Sequence, residues 1–256
     1  MKGIFTITLM TFKDAVRNKL FYLAFFFVLF LIVFSALFSS VALADKSAVI
    51  KDFGLFGISF FVTVYIIIFA GLQIPKEISN KTILYLLSQP ISRASVVIGK
   101  FFGVLLTSFS LIFLLTIILI AFNYFLGFGY DLTLFKASFF IFLQVVIVAS
   151  FALMFSILLL NPILSGTLTF SLFLAGRSSL FINQYVQEHS TELSGKIINF
   201  ISHFIPKFDL LDISDKIVYL MPIKGELYIW GLEYTLGIVL IVLALAVIFF
   251  NRKNIV

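Results

Sequence analysis

Cysteine is absent from the 256 residues, which excludes disulfides, thiolate metal sites and thiol redox chemistry on this chain. Charge is scarce as well: acidic and basic residues make up 12%, about half the share of an ordinary soluble domain. With 2 histidines and 4 methionines, the chain is poorly equipped to pass a soft ion such as copper. What fills the composition instead is apolar, 62% hydrophobic residues with 35 phenylalanines and a mean hydropathy of +1.18. No water-soluble globule hides that much apolar surface, so lipid is the expected solvent for most of the chain.

Runs of about twenty residues with few charges fall at roughly 20–44, 54–74, 94–126, 133–160, 163–182 and 228–250. They predict an all-α integral membrane protein with six transmembrane helices in a single domain spanning 1–256. The first run lacks a small-residue cleavage signature, so it reads as a retained span. Asn161-Pro162 interrupts an otherwise continuous apolar stretch; one unbroken helix there would be over twice the bilayer core, which favours a tight reversal. No repeat of fixed period is visible.

Six spans place both termini on one side. That side carries Lys2, Lys13, Arg17, Lys19, Lys76, Lys81, Arg93, Lys100, Arg252 and Lys253 against only Asp14 and Glu77, while the opposite side is acidic on balance. By the bias of basic residues toward the cytoplasm, both termini are expected inside. The formal charge of +6 then reflects topology, and no nucleic-acid partner is expected.

Residues 1–19 differ in kind from the spans. Phe5, Leu9, Phe12 and Val16 recur at helical spacing while Thr6, Lys13 and Arg17 share the opposite face, the pattern of an N-terminal interfacial helix. Residues 183–227 are the only sizeable extramembrane segment, with Leu193, Ile197, Phe200, Ile201 and Phe204 at helical spacing before Pro206. They predict a helical, amphipathic external loop between spans five and six, too small for a core of its own.

The stretch 75–93, PKEISNKTILYLLSQPISR, is charged, proline-bounded and half apolar where a short turn would suffice. Pro75 suits a first helical turn and Glu77 suits the positive end of a helix dipole, so a new helix is expected to start there. Glu77 and Lys81 stand four apart, while Ile83, Leu84, Leu86 and Leu87 supply an apolar side. Ser88-Gln89-Pro90 stops it, and Ser92 caps the span that opens at Arg93. The physical pattern fits both a lever gripped from outside and a helix floating in the headgroups.

The order Glu77, Lys81-Thr82, Leu86-Leu87, Pro90, Ser92-Arg93 and Gly99-Lys100 resembles the segment after the second span in permeases of the type-2 ATP-binding-cassette exporter family. The whole chain is similar to the branch that includes the permease of the nitrous-oxide-reductase maturation transporter, including a Pro-x-Phe-Asp-like element at Ile205-Pro206-Lys207-Phe208-Asp209. Relatives carry glycine-threonine where this chain has Lys81-Thr82. The resemblance implies that 75–93 is a cytoplasmic coupling helix seated in a separate ATPase subunit, with Glu77 and Lys81 orienting it, Ile83, Leu84 and Leu87 filling the cleft, and Arg93 anchoring it. It also implies a second permease copy or a paralogue, export and a prokaryotic cytoplasmic membrane.

An ATPase site would need a glycine-rich loop ending in Gly-Lys-Ser/Thr. Gly99-Lys100 and Gly195-Lys196 lack the hydroxyl residue and the earlier glycine, so ATP hydrolysis is expected on another chain and no cofactor on this one. His189, Glu192, His203, Asp209 and Asp212 match no strong metal-ligand spacing, and no nucleophile–base arrangement for a hydrolase is present. Gly99-x-x-x-Gly103 is expected to serve helix packing. The fifth run is small and hydroxyl-rich, so it either packs tightly against its neighbours or borders a translocation path, for which Thr169, Ser171 and Gly176, with Gln144 from the fourth, are the candidates. A non-transporting membrane scaffold that docks a cytoplasmic partner is the alternative reading. A secondary transporter fits less well, because the spans lack an intramembrane acid or broken-helix pair of the usual coupling kind.

Overall fold

The computed structural model describes residues 2–41, 45–80, 92–188, 198–200, 202, 205–219, 221–222 and 224–253. Among these, every regular element is helical: α1 (Lys2–Arg17), α2 (Lys19–Val41), α3 (Lys46–Ser79), α4 (Arg93–Phe125), α5 (Leu134–Leu159), α6 (Pro162–Arg177), α7 (Ser179–Glu188), a 3-10 turn (Asp209–Leu211), α8 (Ser214–Val218) and α9 (Glu226–Arg252). Five of them, α2, α3, α4, α5 and α9, are long and apolar enough to cross a membrane. The expected fifth run falls on α6, whose 16 residues span about 24 Å, and continues past a turn at Ser178 into α7.

Burial orders the bundle. In α5, 78% of the most apolar window is buried, against 22% in α2 and in α9, so α5 is central and the other two are peripheral. Helix α5 packs on α3, α4, α6 and α9, and its run of Val145 to Ala149 is buried on all sides, as a helix enclosed by others requires. Helix α2 runs antiparallel to α3 through phenylalanine contacts, Phe27 on Phe61 and Phe38 on Phe53. Its Phe26 and Phe30 remain exposed, the face left for lipid.

The termini of the helices obey local chemistry. Asp45 caps α3 by accepting from the Ser47 and Ala48 amides, and Ser92 caps α4 by accepting from the Ser95 amide, as the sequence leads one to expect. The reversal at Asn161-Pro162 is also present. Leu160 sits at φ 52°, Asn161 caps α6 by accepting from Ile163 and Leu164, and Pro162 occupies the first turn, where its missing N–H costs nothing.

Pro75 corrects the sequence reading. No helix begins there; α3 runs through it to Ser79. A proline inside a helix leaves the carbonyl four residues earlier without its amide partner. Here that carbonyl belongs to Gly71, and the Ser165 hydroxyl of α6 reaches it at 3.3 Å, sharing its one proton with the Pro162 carbonyl at 3.1 Å. Gly71 permits the approach: a Cβ there would lie 3.2 Å from the Ser165 Oγ.

Helix α1 packs along the first turns of α4. A Cβ on Gly99 would lie 2.9 Å from Ile7, and one on Gly103 2.5 Å from Thr11, so both glycines of the Gly-x-x-x-Gly pair are filled by a helix of the same chain. The Thr8 hydroxyl shares its proton between the Ile4 carbonyl at 2.9 Å and the Gly99 carbonyl at 3.1 Å, and the Tyr65 hydroxyl donates to the Ala15 carbonyl at 3.1 Å.

Candidate functional site

The ends of α3 and α4 that flank residues 81–91 are tied together by one lysine. Lys100 lies inside the apolar run of α4 and is 2% exposed. Its Nζ meets Glu77 Oε1 at 2.5 Å and Gln73 Oε1 at 3.1 Å, both on α3. Glu77 and Gln73 stand one turn apart on α3, so one ammonium bridges two acceptors on a single helix face. A lone ammonium in this position is costly without such partners.

Arg93 and Lys253 extend the tie to the other helices. Arg93 donates through Nη1 to the carbonyls of Phe250, Asn251 and Lys253 at 3.1, 3.2 and 3.0 Å, which places a cation at the C-terminal end of α9, where the helix dipole favours it. Lys253 in turn donates to Ile157 and Leu158 at 2.6 and 2.7 Å, capping the carbonyls that end α5. Burial pushes the Lys253 ammonium below its ordinary value. The same end of the bundle thus carries α3, α4, α5 and α9 in one polar chain.

Of the residues expected to couple, Glu77 and Arg93 are placed; Lys81, Ile83, Leu84 and Leu87 lie outside the described residues. The Lys100 ion pair was missed by sequence reasoning, which spaced Glu77 only against Lys81. A single cation within the apolar run 94–126 was the signal that a partner had to exist.

The residues proposed for a path separate into different environments. Thr169 is buried and its hydroxyl donates back to Ser165 O at 2.7 Å. Ser171 is exposed on α6. An apolar cavity of about 490 Å³ opens between α3 and α6, lined among others by Ile67, Leu72, Gly166, Thr167 and Phe170. None of the four candidates lines it, and Gln144 and Gly176 lie elsewhere. Gln144 is 3% exposed and donates through Nε2 to Phe208 O at 3.1 Å. Gly176 O accepts from the Phe208 amide at 3.1 Å.

Both belong to a latch at the far end of the bundle, built on Pro206-Lys207-Phe208-Asp209. Phe208 is buried at 1% exposure and its ring lies 5.9 Å from that of Phe173. A Cβ on Gly176 would stand 2.4 Å from Pro206 O and 2.5 Å from the Phe208 ring, so only glycine fits. The Lys207 amide donates to the Tyr234 hydroxyl at 2.8 Å, the Ser179 hydroxyl donates to Asp209, and burial raises the Asp209 carboxyl above its ordinary value. Arg177 joins Asp212 at 3.2 Å and Ser59 at 2.9 Å. Beyond it, Leu211, Ile213, Ile217 and Val218 enter the main core, so this part of the external loop is packed into the bundle.

Asp209 and Asp212 are therefore occupied, while His189, Glu192 and His203 lie outside the described residues. No group of three or more metal-ligating side chains occurs among the described residues. Asn123 near the end of α4 is fully buried, with neither amide atom partnered among the described residues.

No curated protein matches the chain. A family model described as ABC-2 family transporter protein matches residues 5–255, nearly the whole length and the full helical bundle just described. The chain is a multi-pass membrane permease component and belongs to the ABC-2 family of transporter proteins.

Proposed function

We propose that this chain is the membrane-spanning subunit of an ATP-binding-cassette exporter, driven by a separate cytoplasmic ATPase pair that grips residues 75–93. The observation that carries the proposal is the Lys100 bridge to Glu77 and Gln73. It joins the last turns of α3 to the first turns of α4, so force applied to the intervening segment acts on both spans at once. Arg93 and Lys253 pass the same displacement to α9 and α5. The basic end, holding Lys76, Arg93, Lys100, Arg252 and Lys253, is then cytoplasmic, with both termini on the cytoplasmic side of a prokaryotic inner membrane.

A second permease copy completes the assembly, with the face of α6 that carries Ser171 toward the path. Within the family, we assign it to the branch of the nitrous-oxide-reductase maturation permease, supported by the Pro206 to Asp209 element. ATP hydrolysis belongs to the partner, because no Gly-Lys-Ser/Thr loop exists in the sequence.

The test uses the lack of native cysteine. A single Leu84→Cys variant is treated with a membrane-impermeant maleimide, in intact cells and in inside-out vesicles. Labelling only in the inverted vesicles, blocked by added ATPase subunit, supports the assignment; labelling of intact cells contradicts it. Co-reconstitution then separates an exporter, which shows ATP-dependent movement, from a scaffold, which binds the ATPase without movement.

A further inference from the structure

Beside the latch, a cavity of about 550 Å³ opens among α7, α9 and the loop, lined by Asn183, Asn199, Ser202, Ile205, Lys207, Leu210, Trp230 and Tyr234. Its chemistry is divided. Two amides, a hydroxyl and an ammonium form one part; Ile205, Leu210 and the Trp230 ring form the other. The Trp230 and Tyr234 rings are stacked, with centroids 5.2 Å apart and planes at 10°, and they occupy the opening turns of α9 just before its long apolar run. Tryptophan and tyrosine at such a position mark the level of lipid headgroups.

Lys207 supplies the charge. Its backbone amide is engaged by Tyr234, which fixes the residue in the cavity wall, while no carboxylate lies within ion-pair distance of its ammonium among the described residues. Asp209, whose carboxyl feels the Lys207 charge, accepts from Ser179. A half-polar cavity with a cation, amide donors and an aromatic rim at headgroup depth suits an amphiphile whose head is a phosphate ester.

We propose that this cavity binds the headgroup of an anionic phospholipid on the face of the membrane opposite the basic end. Lys207 faces the phosphate, the Asn183 amide donates to its ester oxygens, Ser202, whose own proton goes to the Asn199 carbonyl, accepts from a glycerol hydroxyl, and the acyl chains leave over Ile205, Leu210 and Trp230. Bound there, the lipid bridges α7, the latch and α9. The site is separate from the ATPase-coupling segment and does not depend on it.

Trp230 is the only tryptophan in the chain and reports on the site directly. The full chain is placed in phosphatidylcholine nanodiscs, and its fluorescence is titrated with brominated phosphatidylglycerol or with phosphatidylcholine brominated at the same chain positions. The expected result is roughly fivefold tighter apparent binding of phosphatidylglycerol, the preference one lysine gives near a membrane surface. Lys207→Met abolishes the preference, Lys207→Arg keeps it, and Lys224→Met, on the exposed neighbouring loop, also keeps it. Equal quenching by the two lipids, or equal loss in the Lys224 and Lys207 variants, overturns the proposal. Relief of quenching by inorganic phosphate would assign the site to a soluble phosphate and overturn the lipid.

Discussion

At one end of the bundle, Gly176 lies so close to Pro206 and Phe208 that a single methyl group has no room. At the other, α3 and α4 meet through an ammonium, a carboxylate and a side-chain amide. The first end is closed mainly by shape, with the Phe208 ring buried and its backbone groups paired to Gly176 and Gln144, beside the partly exposed Arg177–Asp212 pair. The second is closed by charge, with cations on carbonyls and a carboxylate near the bundle surface. Close packing tolerates almost no displacement before contacts are lost, whereas a cation can exchange one oxygen for another. The difference points to the latched end as the fixed frame and the charged end as the part that rearranges.

The comparison breaks most visibly at Lys100. Replacing it with methionine leaves Glu77 without this ammonium, and thermal unfolding in detergent is expected to show a loss of about 3 kcal/mol. The lower part of the usual range applies because the Glu77 side chain keeps 23% exposure. Adding Glu77→Leu to Lys100→Met is expected to recover most of that loss; no recovery would mean that Lys100 acts through packing alone. At the latched end, Gly176→Ala is expected to cost about 2 kcal/mol by overpacking, and no second substitution of a charged residue will restore it. A Gly176→Ala protein as stable as the parent would show that the latch is loose.

The smallest effect concerns acid. Burial alone would raise the Asp131 carboxyl, but the Lys51 ammonium at 2.6 Å and the Thr133 hydroxyl and amide outweigh it and hold the group below its ordinary value. A carboxylate whose value is lowered in the folded state adds stability that is present above the unfolded value of about 3.9. That stability disappears as pH falls through the lower folded value. Unfolding midpoints of the parent are therefore expected to fall below pH 4 more steeply than those of Asp131→Asn, and parallel curves would remove the pair from the account.

Much of the frame was legible in the sequence because it depends on local rules. Long apolar runs specify spans, Ser92 and Asn161 specify caps, and a proline after asparagine specifies a reversal. Pro75 misled because the cost of proline inside a helix was met from elsewhere, by the Ser165 hydroxyl reaching the freed Gly71 carbonyl across 94 positions of chain. Gln144 and Gly176 read as lining for a path, since a polar or small residue in a span has that use. Both are held by Phe208, in a loop whose fold into the core has no periodic signature. Lys100 and Asn123 show the same limit. A buried polar group announces that a partner is needed but not where it lies, and in the case of Asn123 none is present among the described residues.

The most direct test of force transmission through the charged end is the ATPase rate of the partner subunit in complex with three forms of this chain in proteoliposomes. Glu77→Lys should bring two ammonium groups together and reduce permease-stimulated hydrolysis to near the rate of the isolated ATPase, with membrane insertion intact. Glu77→Lys combined with Lys100→Glu restores an opposite-charge pair and should restore stimulation. Parent-like stimulation in Glu77→Lys, or a swapped pair that stays as inactive as the single variant, would contradict the assignment.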